Sequence, residues 1–198
     1  MPENITSGLI GSIITAMVTL FIYFHARFKK RGKAHKVLRE LKKHFESTKG
    51  DYCYTKSAND NRDVAHQLFM KTDKEIIATS FNENPAIYAN GDFAQHFQSR
   101  DFTRITCSDI CDKDSQITAL ANLKSVHPGG KLVVLPDKIH FMKIDGMFCK
   151  FGDETYLTFL SFRNPQNPSR NTGLVLMDTI AERFYDYYKS LSEENRPI

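Results

Sequence analysis

Lys131-Leu-Val-Val-Leu-Pro-Asp-Lys-Ile-His-Phe-Met-Lys-Ile-Asp-Gly146 is the stretch on which the fold turns. After one lysine, Leu-Val-Val-Leu predicts a short buried strand over 131–135. Pro136 removes a ladder donor and, with Asp137, ends it. Residues 138–145 predict a second strand, and Gly146 a turn into a third over 147–151. Side chains alternate along a strand, so Lys138 and His140 share a face while His140 and Lys143 do not.

Outward from this stretch, helix and strand signals alternate. Upstream, strands are predicted over 75–81 and 102–107. Helices are predicted over 62–71, 90–99 and 113–124, the last stopped by His127-Pro-Gly-Gly130. Downstream, Gly152-Asp153-Glu154 turns into a strand over 155–163. A Pro/Asn/Ser loop follows, then a strand over 173–177 and a helix over 179–192. On that helix Ile180, Phe184, Tyr187, Tyr188 and Leu191 recur at helical spacing and predict its buried stripe. Units of βαβ followed by a run of strands read as an α/β mixed sheet flanked by helices. Residues 47–61 are polar and read as a linker, so the globular domain is placed at 50–198.

The chain before that domain is of a different kind. Residues 4–24 form an uncharged, mostly apolar run of 21 residues. About 20 such residues span a bilayer core as a helix. Between Arg27 and Lys43 stand nine Lys/Arg and one acid, Glu40, the bias of a cytoplasmic flank. The expectation is a transmembrane helix over 4–26, a basic juxtamembrane helix over 27–49, and a C-terminal domain on the cytoplasmic side of an inner or plasma membrane. A cleaved signal peptide fits less well, because the charges follow the apolar run and no small-residue cleavage pair precedes a polar start. Within 34–46, Val37, Leu38, Leu41 and Phe45 make an apolar stripe opposite a basic face. That helix can lie on lipid or pack on the domain. Gly8, Ser12 and Ala16, and Gly11, Thr15 and Thr19, form small-residue ridges suited to helix association in the membrane.

Charge separates the two parts. Residues 1–49 hold 10 Lys/Arg and 3 Asp/Glu, a net of +7, and residues 50–198 hold 17 and 20, a net of −3. The mildly acidic domain makes long nucleic acid a less favoured partner. Cys53, Cys107, Cys111 and Cys149 include one CxxxC spacing but no second pair and no histidine at zinc spacing, so they read as reduced thiols. His66, His96 and His127 have no partner at chemical spacing. No Walker loop, GxGxxG, HExxH or GxSxG motif occurs.

From 62 to 191 the order of elements resembles one half-unit of the phospholipase D superfamily. Thr72-Asp-Lys-Glu-Ile-Ile-Ala-Thr-Ser-Phe81 resembles that family's first helix-to-strand step. The stretch ending Ile144-Asp-Gly146 resembles its signature strands. Residues 155–161 and 171–189 resemble its following strand and closing strand and helix. The family pattern is His-x-Lys-x4-Asp followed by Gly. Anchored on Asp145-Gly146, the His position here holds Lys138 and the Lys position His140, so the two are swapped. The family places Asn two residues after its Ser, and here Ser161 is followed by Arg163.

The resemblance implies a metal-independent phosphodiester site with neither metal nor cofactor, in which the His is the nucleophile. Lys138 in that place is ordinarily protonated and has no lone pair. The leading expectation is therefore a degenerate, membrane-anchored protein that binds a phosphate-bearing ligand through Lys138, His140, Ser161 and Arg163, as sensor, regulator or assembly component. The alternatives are a phosphodiesterase (nuclease or phospholipase) with His140, Lys138 and Asp145 as catalytic residues, and a membrane-acting effector triggered through its soluble domain. A single signature copy implies a homodimer or higher oligomer, through the sheet edge and last strands. Small size and layout fit an accessory or defence module of a bacterium.

Overall fold

In the computed structural model, which describes residues 32–45, 52–81, 101–136, 143–195 and 197, twelve elements follow one another. They are α1 (Lys33–His44), β1 (Tyr52–Thr55), α2 (Ala58–Lys71), β2 (Glu75–Thr79), β3 (Asp101–Cys107), α3 (Lys113–Val126), β4 (Lys131–Leu135), β5 (Asp145–Lys150), β6 (Tyr156–Phe162), a 3-10 turn (Pro168–Arg170), β7 (Thr172–Met177) and α4 (Asp178–Glu194). The transmembrane helix expected over 4–26, the helix over 90–99 and the residues 138–142 of the expected strand lie outside the described residues. Among the described residues no helix is long and apolar enough to cross a membrane.

Seven strands form one mixed sheet in the order β1-β7-β6-β5-β2-β3-β4. β2, β3 and β4 run parallel. β5 joins β2 antiparallel, and β6, β7 and β1 continue antiparallel. All five residues of β2 are buried, as expected of a central strand covered on both faces. One face packs against α1, α2 and α3 through Leu41, Leu68, Phe69, Phe102, Leu123 and Phe159. The other packs against α4 through Ile77, Ile105, Val133, Phe148, Tyr185 and Tyr188. Phe148 stacks on Tyr188 at 4.2 Å between ring centres.

Local chemistry sets the helix ends. Ser57 caps α2 by accepting from the Asp60 N–H at 3.1 Å, and Asp112 caps α3 by accepting from the Ser115 N–H at 2.8 Å. The N–H groups that open α1 have partners in the β5–β6 turn. The Lys33 N–H donates to Asp153 Oδ2 at 2.6 Å, and the Ala34 N–H to Thr155 Oγ1 at 3.1 Å. The Lys33 ammonium pairs with Asp73, whose other oxygen accepts from the Gly152 N–H at 2.9 Å. Ala34, Val37, Leu38 and Leu41 are buried in the core, so α1 takes the second of its two options and packs on the domain.

Four expectations are corrected. Residues 47–61 are not all linker. Tyr52–Thr55 pairs with β7 as β1, and α2 begins at Ala58 rather than 62. β1 therefore covers β7, and among the described residues the sheet edges are β1 and β4, so β6 and β7 are both interior strands. Gly146 is not a turn but lies inside β5, opposite Thr79 and Leu160. A Cβ there would stand 2.4 Å from the Phe159 carbonyl oxygen, and the close approach of that backbone is what requires glycine. On α4 the buried residues are Ala181, Tyr185, Tyr188 and Leu191, while Ile180 is 56% exposed. The stripe is turned because the Tyr185 O–H and the Lys189 ammonium both donate to the buried carboxylate of Glu75, a polar anchor that apolar periodicity does not register. Burial, then the Glu75 charge, pushes the Tyr185 phenol well above its usual range.

Gly146→Ala is expected to lower stability by about 1–3 kcal/mol through overpacking, read as a shifted urea midpoint at unchanged slope. A second expectation concerns acid. Burial works against the carboxylates of Asp73 and Asp153. The Lys33 ammonium and the Gly152 N–H outweigh it at Asp73, and the Thr155 hydroxyl with the Lys33 and Thr155 N–H groups does so at Asp153. Both carboxyls are thus held below their ordinary range in the fold. Their contribution is present above about pH 4 and is lost as pH falls through the lower folded values. Hydrogen exchange, corrected for intrinsic rate, is expected to show α1 losing protection below about pH 4 before the central strands do.

Candidate phosphate-binding site at one end of the sheet

The register of β5, β6, β7 and β1 brings one row of residues together. Asp145 lies opposite Ser161, Ser161 opposite Gly173, and Gly173 opposite Thr55. Directly paired residues point to the same face, here the face covered by α2. Asp145 is the first residue of β5, and its Oδ1 accepts from the Phe81 N–H at 2.6 Å, just past the end of β2. Ser161 is half-buried near the end of β6, and Arg163 is exposed immediately beyond that strand. Of the sequence-predicted residues, Asp145 and Ser161 are thus neighbours, with Arg163 two residues on. Lys138 and His140 lie outside the described residues, in the connection between Pro136 and Lys143.

Asn61, which the sequence reading placed in a linker, completes the row. It comes from the first turn of α2 and is 7% exposed. Its Nδ2 donates to Ser161 Oγ at 3.3 Å and to the Thr172 carbonyl at 3.1 Å. Its Oδ1 accepts from the Thr55 hydroxyl. The amide crosses the sheet over Gly173, where a Cβ would stand 2.6 Å from Asn61 Oδ1 and 2.7 Å from Thr55 Oγ1. An amide therefore reaches Ser161 from α2, although the expected position holds Arg163. The signal was legible: Ser57-x-x-Asp60 is a cap spacing that starts a helix at 58 and carries Asn61 inward.

The return of the chain into β5 is fixed beside this row. The Lys143 ammonium pairs with Asp109 at 2.6 Å, in the turn after β3. The Cys107 side chain and that ammonium hold the Asp109 carboxyl below its usual range. The Thr79 hydroxyl donates to the Ile144 carbonyl at 2.6 Å. Of three successive residues, Lys143 is tied to the turn after β3, and Ile144 and Asp145 to the end of β2 and the residue just past it.

Chemically the row offers a hydroxyl at Ser161, an amide behind it and a carboxylate at Asp145. A phosphate beside Asp145 needs cations to offset like-charge repulsion. Lys143, the described cation nearest to Asp145 in the chain, is paired with Asp109. All four cysteines are buried thiols, and burial pushes Cys53 and Cys111 above the ordinary thiol range. Among the described residues no three His, Cys, Asp or Glu side chains group as a metal site. His127 is buried and His66 exposed, while His96 lies outside the described residues.

No protein-family model matches the sequence, and no curated protein matches it. Solved structures do. TrmBL2, an archaeal chromatin protein described as showing a novel mode of DNA binding, superposes with a TM-score of 0.51 over 96% of this chain and 69% of its own, at 8% identity. NucT from Helicobacter pylori gives 0.50 over 74% of this chain and 98% of its own, at 13% identity. Nuc from Salmonella typhimurium, a phospholipase D family member, gives 0.51 over the same two shares, at 11% identity. The fold is phospholipase D-like.

Asn61→Ala leaves the buried Thr55 hydroxyl without its acceptor. It is expected to cost about 1–3 kcal/mol, read by urea unfolding.

Proposed function

We propose that this protein is a membrane-tethered, phospholipase D-like receptor for a phosphate-bearing ligand, acting as sensor, regulator or assembly component. The observation that carries this reading is the pairing of Asp145 with Ser161 on adjacent strands, at the sheet end where the connection bearing Lys138 and His140 rejoins the fold. The likeness to Nuc and NucT supports a phosphodiester-type ligand. The swapped pair supports binding over cleavage. An ammonium at the nucleophile place holds a phosphate oxygen but cannot attack phosphorus. Arg163 adds a planar donor suited to two phosphate oxygens at once.

Each residue then has a part. Lys138 and Arg163 supply charge, His140 a hydrogen bond, and Ser161, held by Asn61, a hydroxyl of fixed direction. Asp145, occupied by the Phe81 N–H, orients the strand end. The uncharged run of residues 4–24 tethers the domain, and a homodimer or higher oligomer sets two such rows near one another.

The test uses the full chain in phospholipid nanodiscs with chelator present, challenged with inorganic phosphate, a short oligonucleotide and a generic phosphodiester. Thermal stabilisation by a phosphate ligand is expected, without turnover. Binding should weaken about tenfold in Lys138→Ala and Arg163→Ala, the scale of one lost charge-assisted hydrogen bond. Chelator-resistant turnover that disappears in His140→Ala would replace this reading with a phosphodiesterase. Neither stabilisation nor turnover would remove the ligand altogether.

A further inference from the structure

α1 has two opposed faces. Each helix residue is turned by about 100° from the last, which puts Ala34, Val37, Leu38 and Leu41 in one sector. All four are buried in the core. Lys36, Arg39 and Lys43 fall in the sector diametrically opposite, and all three are exposed. Glu40, on the flank of that sector, is engaged with Lys71, and Lys33 with Asp73. Over the whole helix five Lys/Arg stand against one acid.

We infer that the Lys36–Arg39–Lys43 face seats the domain on an anionic lipid bilayer. An amphipathic helix ordinarily enters the interface with its apolar face, but here that face is occupied by the domain's own core. What α1 presents outward is charge, and charge attracts anionic headgroups without insertion. The body of the domain, residues 50–198, carries a net of −3 and is repelled by the same surface. One orientation is therefore favoured, with α1 toward the lipid and α4, on the other face of the sheet, away from it. Nearness comes from the uncharged run ending at Phe24. The seven residues 25–31 reach at most about 24 Å when fully extended. The inference rests on the tethering reading for this nearness alone; the charge geometry of α1 stands without it.

The full chain is reconstituted into vesicles of phosphatidylcholine, alone or with about 30% phosphatidylserine. Lysine acetylation is followed by mass spectrometry. Lys131, exposed at the far edge of the sheet, serves as the internal reference. Acetylation of Lys36 and Lys43 is expected to slow at least about threefold, relative to Lys131, on the anionic vesicles, and to recover at about 0.5 M salt, where the screening length falls to a few ångströms. Arg39→Glu, with an unchanged melting temperature, should lessen that slowing at Lys36 and Lys43. Equal rates on both vesicles would overturn the inference. So would protection of Lys36 and Lys43 by added duplex DNA or RNA but not by anionic vesicles. Carbonate extraction reads the tether separately. Release by carbonate sinks the membrane-spanning reading, while the acetylation of Lys36 and Lys43 with anionic vesicles added still decides the docking.

Discussion

The antiparallel pairing of β5 with β6 is the constraint on which the rest depends. At one end it sets Asp145 beside Ser161. At the other its turn, residues 151–155, supplies Asp153 and Thr155 to the open N–H groups of α1. The turn itself is closed by the Phe151 N–H to the Thr155 carbonyl at 2.9 Å, with Glu154 in the left-handed region at φ 58°. Between the two ends Gly146 lets the backbone of β6 approach closely, and Phe148 gives α4 its stacking partner. A slip of one residue would send Asp145 and Ser161 to the α4 face and bury the wrong half of each strand. The register is thus held by packing on both faces and by glycine at one point.

The candidate site shows how a sheet holds polar groups at its rim. Its members are held by backbone or by one another: Asp145 by the Phe81 N–H, Ser161 by Asn61, Asn61 by Thr55 and Thr172. Each of these groups is held in one direction by its partner, so the row is ordered by the fold itself.

Much of this was legible in the sequence, for reasons that particular elements make plain. Lys131–Leu135 is a strand as predicted, because an apolar run ended by proline has few other uses. α3 and α4 stand close to their predicted spans of 113–124 and 179–192, and the apolar stripe of α1 is the one buried. What was not legible depended on partners distant in sequence. Tyr52–Thr55 is four residues long and half polar, and it is a strand because β7 offers it an edge. Gly146 looks like a turn until the Phe159 carbonyl beside it is seen. The rotation of α4 follows from Glu75, more than a hundred residues earlier in the chain. Ser57-x-x-Asp60 marks the start of the helix that carries Asn61, but only the fold shows Asn61 reaching Ser161.

The two ends of β6 also fix an axis through the molecule. Lys33, where the N-terminal segment joins the fold, is bound at the turn that opens β6, while Ser161 lies near the opposite end of that seven-residue strand, about 20 Å away. Among the described residues, the point where the chain enters α1 and the Asp145–Ser161 pair thus stand at opposite ends of one strand, and the rigidity of β6 sets the distance between them.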